Sequence, residues 1–323
     1  MSIVERTRDE VMASGRQDSA AHCGPQIADE LSPPIMQRFA AYLSRMSGMQ
    51  FDASKTYLVE NKLRALIRQN GLSSFSELIF KLESGSFPEL SSGVVQAMTI
   101  NETHFFRDRG PFQSLAAVLP GLARAIGQSR PLRIWSAACS TGQEIYSIAM
   151  TLEQEATKLG GLRTELVATD ISAAVLAKAA AGDYSRFEVE RGLTPEQIER
   201  FFRLVGADWR IDARLRQNVS FHRQNLLDEF VHLGIFDIIF CRNVLIYLND
   251  ETRRSILERM SRQLRPGGLL LLGSAETMFG YTCGFEQDYR AVGFLSLSPS
   301  RAPAVSNGRE AATSQFWHTL KQT

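Results

Sequence analysis

The sequence is poor in several features that would each mark a particular fate. Only four cysteines, Cys23, Cys139, Cys241 and Cys283, stand in 323 residues, and no two form a C-x-x-C pair. That excludes a zinc ribbon and a disulfide framework, and fits reduced thiols in a cytoplasmic protein. Long apolar runs are missing too. "LLLL" at 269–272 is strand-sized, far from the roughly 20 residues of a membrane span. The opening MSIVERTRDE lacks the apolar stretch of a secretion signal. Neither charge sign dominates: 36 Lys and Arg face 35 Asp and Glu. The chain as a whole therefore has no general pull toward nucleic acid or an anionic membrane. The G-x-G-x-x-G of a dinucleotide site is also absent, which makes a nicotinamide dehydrogenase a poor reading.

What is present is ordinary for a globular chain: 44% apolar and 22% charged residues. At roughly 150 residues per domain, the length predicts about two domains. Residues 1–30 are small and polar and read as a flexible leader. From Pro33 the pattern is helical, with Ile35, Phe39, Tyr42, Leu43 and Met46 on one face. A second helix, capped by Asp52 or Ser54, carries Val59, Leu63, Leu66 and Ile67, with Arg64 and Arg68 opposite them. Ser74 and Glu77 have the spacing of a capping box for a third helix. A fourth covers roughly residues 88–98. Residues 31–115 thus read as a small all-α domain, and 116–130 as a linker helix.

After Arg130 strands and helices alternate. "PLRIWSAA", "TELVATD", "NVSFHRQNLL", "GIFDIIFCRN", "GGLLLLG" and "AVGFLSLSP" read as strands, with helical segments between them. That pattern predicts an α/β domain over 131–300 with a mostly parallel sheet covered on both faces. Residues 301–323 are small and polar again and read as a flexible tail.

Ligands of open α/β sheets bind at the carboxyl ends of strands. After the first strand come Ala138, Cys139, Ser140, Thr141 and Gly142, small residues that let a ligand approach the backbone. Glu144 then opens a helix, either as a favourable N-terminal charge or as an acceptor for an ammonium group. Asp170 ends the second strand, either as a helix N-cap or as a holder of ribose hydroxyls. Upstream, residues 99–108 contain "TINETHFFRD", which is either a solvated helix start or a lid over the cleft.

Together, "NETHFFRD", "RIWSAACSTGQEIYSIAM", "ATDIS", "FHRQNLLD", "FDIIFCRNVLIYLN" and "LRPGGLLLLGSAETM" resemble the CheR family of chemoreceptor glutamate methyltransferases. The motifs come in order, from about residue 33 to about residue 298. The resemblance implies a class I, Rossmann-like methyltransferase sheet with a small β-subdomain inserted at about 183–222, behind an all-α domain. It implies S-adenosylmethionine as cofactor, S-adenosylhomocysteine as product, and no metal. The partner would be the cytoplasmic domain of a chemoreceptor, met by a monomeric enzyme that neither binds nucleic acid nor enters the membrane.

By position, Asn101, Thr103 and Arg107 of the lid would contact the cofactor. Glu144 would take its ammonium group, Asp170 its ribose, and Asn225 and Leu226 would flank the adenine. Arg242 and Asn243 would line its reactive side, with Tyr247 near the methyl group. Arg107, Arg242 and Tyr247 would be the catalytic set, the arginines orienting the acceptor carboxylate. Lys62, Arg64 and Arg68 would meet an acidic receptor helix, or else form a solvated face. Ala138 stands where the family has a glycine near the cofactor, a costly exchange if that position needs a positive φ. The stretch "ADWRIDARLRQNVS" has no glycine, and this predicts that the β-subdomain does not tether a receptor pentapeptide. Two alternatives remain. One is a non-catalytic regulator of the same fold; the other is a methyltransferase of another substrate class.

Overall fold

The computed structural model describes residues 27–50, 56–276, 284–288 and 291–297. Four helices come first: α1 Pro33–Ser47, α2 Thr56–Gln69, α3 Phe75–Ser84 and α4 Pro88–Met98. Pro33 and Pro88 sit in the first turns of α1 and α4, where the missing N–H costs nothing. The predicted apolar stripes converge: Phe39, Leu63, Ile67, Phe75, Leu78, Ile79 and Val94 are wholly buried in one core. At ~1.5–3 kcal/mol per buried side chain, that core rather than helix propensity holds the unit together.

Three expectations for this unit are corrected. The composition predicts a leader running to residue 30, but Asp29 is part of the fold. Its carboxylate accepts from the amides of Phe75 and Ser76, at 2.6 and 3.0 Å, and so caps α3. The capping box is only half made. Ser74 accepts from the Glu77 amide, whereas the Glu77 side chain reaches the Ser73 amide at 2.7 Å. Arg64 is not on a free face; it pairs with Glu60 at 2.7 Å and lies over the Phe75 ring. Asp52 and Ser54 lie outside the described residues, as do residues 1–26 and the tail.

Helix α5 (Gly110–Ile126) starts earlier than the linker helix expected at 116. The rest of the chain gives β1 Leu132–Ala137, α6 Gln143–Gln154, α7 Ala156–Leu159, β2 Thr164–Asp170, α8 Ala173–Ala181 and β3 Asp183–Tyr184. There follow α9 Arg186–Glu190, α10 Pro195–Phe201, β4 Phe202–Val205, β5 Asp208–Ile211, α11 Ala213–Gln217 and β6 Val219–Arg223. Last come β7 Phe236–Cys241, α12 Asp250–Arg262, β8 Leu264–Leu272, β9 Phe285–Gln287 and β10 Phe294–Leu297.

Seven strands form one sheet in the order β6-β2-β1-β7-β8-β10-β9. The first five run parallel, and β10 is antiparallel to both β8 and β9. Side chains alternate between two cores, as strand geometry requires. Ile134, Leu166, Ala168, Ile238 and Phe240 face one, with α5 and α6. Trp135, Val167, Ile239 and Leu270 face the other, with α12. Pro266-Gly267-Gly268 forms an irregularity inside β8: the β7 register shifts there, and Gly267 has φ +75°.

The inserted subdomain is a three-stranded sheet, β3-β5-β4. It is shorter than the 183–222 expected, because residues 219–223 are β6 of the main sheet. A glycine does stand in its β4–β5 turn: Gly206, φ +65°, precedes the glycine-free stretch by one residue. The reason for expecting no pentapeptide tethering is therefore removed.

The helical unit sits on the carboxyl ends of the main strands. Asn225 donates to the Met46 carbonyl at 2.7 Å, Arg223 to Ser92 at 2.9 Å, and the Gln50 amide to the Tyr247 carbonyl at 2.9 Å.

Candidate active site

The chain enters the sheet at β1, crosses to β2 on one side and later returns to β7 on the other. That order opens a crevice above β1, the switch point where such sheets bind ligands. A cleft of about 1030 Å³, its open mouth included, fills this place. Asn101, Thr103 and Arg107 line it from above, and Ala138, Glu144 and Asp170 from the ends of β1 and β2 and the start of α6. Asn225 and Leu226 close one end; Arg242, Asn243 and Tyr247 line the side beyond β7. Lys62, Arg64 and Arg68 lie on α2, away from this lining.

The turn after β1 is tight. Gly142 has φ +93°, and a Cβ there would come within 2.9 Å of the Ala179 methyl group. Ala138 and Ser140 also hold positive φ, +57° and +50°. Alanine at 138 therefore carries strain that a glycine there would avoid. Ala138→Gly is expected to raise stability by about 0.5–1 kcal/mol, the left-handed penalty outweighing glycine's extra unfolded-state freedom. A thermal melt checks this; a lower midpoint would show that the turn needs the methyl group.

Asp170 is almost wholly buried. One carboxylate oxygen accepts from the Ser140 amide at 3.0 Å, the other from the Ser172 amide at 2.9 Å. Burial pushes its pKa above the ordinary Asp value, and these amides pull it back. The cap of α8 is Ser172, which accepts from Val175, so the N-cap reading of Asp170 falls away.

Glu144 opens α6, as predicted. Ser136 donates to one of its oxygens at 2.8 Å, and Arg242 to the other at 2.9 Å. The Arg242 side chain is 2% exposed. Its second terminal nitrogen donates to Asp108 at 2.6 Å and to the Arg107 carbonyl at 3.1 Å. Arg242 thus ties the lid to Glu144 through its two terminal nitrogens, while its Nε is buried without a hydrogen-bond partner. The Arg107 guanidinium stays at the cleft, with one hydrogen bond, to the Glu102 carbonyl at 3.0 Å.

The segment over the cleft is anchored rather than solvated. Phe105 is fully buried, edge-on to Tyr184 and Phe202 of the insert. The Phe106 amide donates to Ser147 at 2.9 Å, and Ser140 donates to the Asn101 carbonyl at 3.0 Å. A Cβ at Gly192 would lie 2.0 Å from the Phe105 carbonyl oxygen, so only glycine lets the insert approach this closely. His104 is kept below its ordinary pKa by burial and by Arg191 and Arg107, and its Nδ1 has no partner.

Two residues were missed by sequence reasoning. Asp108 looks like one more surface charge until its partner is known. Glu276 lies inside a quoted motif, yet nothing around it signals that its carboxylate collects five backbone amides, those of residues 243–246 and 273.

A mostly parallel sheet with a small-residue turn after β1, a carboxylate opening the next helix and an acid ending β2 is a Rossmann-like site for a nucleoside ligand. The chain belongs to the CheR methyltransferase family. Residues 35–99 match the family's all-alpha domain and residues 101–291 its SAM-binding domain. It is 44% identical over 247 residues to chemotaxis protein methyltransferase 1 of Pseudomonas aeruginosa, covering 74% of this chain and 89% of that one. It is 40% identical to chemotaxis protein methyltransferase Cher2 of Pseudomonas putida (76% and 90% covered), and 42% identical to the chemotaxis protein methyltransferase of Vibrio parahaemolyticus (77% and 90%).

S-adenosylmethionine fits the donor set. The cleft offers one carboxylate for an ammonium group, another for a diol, and apolar Leu226 and Ile171 for a base. Among the described residues no cluster could hold a metal ion, and no helix is long and apolar enough to cross a membrane.

Proposed function

We propose that the chain transfers the methyl group of S-adenosylmethionine to glutamate side chains on the cytoplasmic helices of a chemoreceptor, giving methyl esters. The observation that carries this reading is the convergence of Glu144, Asp170 and Arg107 on one lidded cleft.

When bound, the cofactor supplies a sulfonium-activated methyl group. Glu144 holds its ammonium group, Asp170 its ribose hydroxyls, and Asn225 and Leu226 its adenine. An acceptor glutamate has an ordinary pKa of about 4.3 and is already ionised near neutrality, so no general base is required. Arg107 orients the acceptor carboxylate, and Tyr247 and Asn243 set its approach. Asn101, Thr103 and Arg107 keep water from the reacting groups. An over-tight arginine clamp would stabilise the ground state equally and slow transfer. The single Arg107 guanidinium, held by one backbone carbonyl, suits orientation better than a fork of two.

On α2, Lys62 and Arg68 are exposed, and Lys62 stands one helical turn after exposed Leu58. These cations would meet an acidic amphipathic helix, with Arg64 already neutralised by Glu60. The enzyme is read as a cytoplasmic monomer.

Methyl transfer from labelled S-adenosylmethionine to a receptor cytoplasmic fragment is expected, with the label released as methanol by mild alkali. Alkali-stable label would mean another acceptor class. Cofactor binding without transfer to any receptor tried would favour the non-catalytic regulator.

A further inference from the structure

We infer that Asp108 is a positioning residue: through Arg242 it couples the placement of the segment over the cleft to recognition of the cofactor's ammonium group. This rests on the proposed placement of that group at Glu144. Asp108 itself touches neither cofactor nor substrate in this reading.

The argument starts from charge. Arg242 is buried at the end of β7 and joins two carboxylates, Glu144 at 2.9 Å and Asp108 at 2.6 Å. One belongs to the helix beneath the cleft, the other to the lid above it. Two anions and one cation leave a net charge of −1. Without Asp108, Glu144 and Arg242 would cancel, and an arriving ammonium group would meet a neutral pair that includes a buried guanidinium. With Asp108, an ammonium group brings the cluster to neutrality. A buried or half-buried cluster favours the ligand that balances it, because water screens little there.

The backbone supports the same assignment. Phe106, Asp108 and Arg109 hold φ of +50°, +68° and +44°, conformations that L-residues avoid. Such strain persists only where surrounding contacts over-determine it. Here those contacts are the Arg242 bonds to the Asp108 side chain and the Arg107 carbonyl, and the Phe106 amide bond to Ser147. Arg107 lies between the two anchors. The Asp108–Arg242 pair therefore fixes where the Arg107 side chain enters the cleft.

The test compares two ligands. S-adenosylhomocysteine carries an α-ammonium and an α-carboxylate group; 5′-methylthioadenosine has the same nucleoside without either, and removal of an anion can weaken the hold on the ammonium but not on the carboxylate. Asp108 is 40% exposed, so Asp108→Asn is expected to fold, which a thermal melt verifies. Calorimetric titration of the full chain should show S-adenosylhomocysteine binding weakened roughly tenfold in Asp108→Asn, the scale of a coupled charge pair. Methylthioadenosine binding should change by less than about twofold on the same argument. Asp108→Glu should restore most of the difference. Equal weakening for both ligands would overturn the inference, because a merely distorted lid affects the shared nucleoside too. No weakening for either would overturn it as well. Failure of the unsubstituted chain to prefer S-adenosylhomocysteine over methylthioadenosine would instead overturn the placement at Glu144.

Discussion

Replacing Arg242 by methionine should cost the chain about 3 kcal/mol of stability, the scale of a buried ion pair stripped of one partner. It should also abolish detectable methyl transfer. Methionine keeps the apolar stem beside Phe112, over which the guanidinium lies at 6.0 Å, so no large void opens. What is lost is the charge. Glu144 remains as a half-enclosed carboxylate with only Ser136 donating to it, and Asp108 loses its hold on the lid. The two losses differ in kind, and a second substitution separates them. Adding Glu144→Gln to Arg242→Met removes the stranded anion and should return part of the melting temperature. It cannot return cofactor affinity, because the proposed ammonium acceptor is gone as well. Recovery of both would mean that Arg242 serves the fold alone. A melting temperature unchanged in Arg242→Met would mean that Glu144 is solvated well enough to need no partner.

The contrast between Arg242 and its neighbours explains how much of this protein can be read from its residues. The strand 164–170 and the helix over 33–47 announce themselves, because an apolar stripe at a fixed period is a local signal. The small-residue turn at 138–142, Glu144 and Asp170 are legible for a related reason: each sits at a set offset from the end of a strand or the start of a helix. The resemblance then supplied roles that periodicity could not. Contacts between distant polar groups carry no local signal. Arg242 meets Asp108 across 134 residues of sequence, and Asn225 reaches the Met46 carbonyl across 179. Arg64 shows the same limit at close range. Its position opposite the apolar stripe was visible, but its use by Glu60 and the ring of Phe75 was not. The insert's end at 222 is implied by the resemblance alone, whereas the strand signal of "NVSFHRQNLL" correctly puts residues 219–223 into the main sheet as β6.

Glu276 is the extreme case, and its substitution should have the other large effect. One carboxylate oxygen accepts from the amides of Val244, Leu245 and Ile246, at 2.8, 2.7 and 3.3 Å. The other accepts from Asn243 at 2.8 Å and Gly273 at 2.6 Å. Five donors converge on one anion, which locks the end of β8 to the loop that follows β7. The approach also dictates glycine at 273, where a Cβ would lie 2.7 Å from that carboxylate and 2.9 Å from the Asn243 nitrogen. Asn243 takes φ +59° to aim its amide there. Glutamine would turn an NH₂ group toward amide donors on one side or the other, so Glu276→Gln should lose about 3 kcal/mol, the value of one or two charge-assisted bonds. Aspartate, one methylene shorter, cannot serve both segments and should not rescue it. The functional effect follows from what the loop carries. Tyr247 and Asn243 line the cleft, whereas Glu144 and Asp170 belong to other elements. In Glu276→Gln, S-adenosylhomocysteine affinity should therefore fall far less than turnover, which an error of about 1 Å in the reacting groups can reduce on the order of 100-fold. Urea denaturation, ligand titration and initial rates on the same preparation would test this. If affinity and turnover fell together, the carboxylate would be shaping the whole cleft rather than this one loop. If neither fell while the chain was destabilised, the loop's position would be set by its own packing through Leu245 and Leu248, and the five amides would be a matter of stability only.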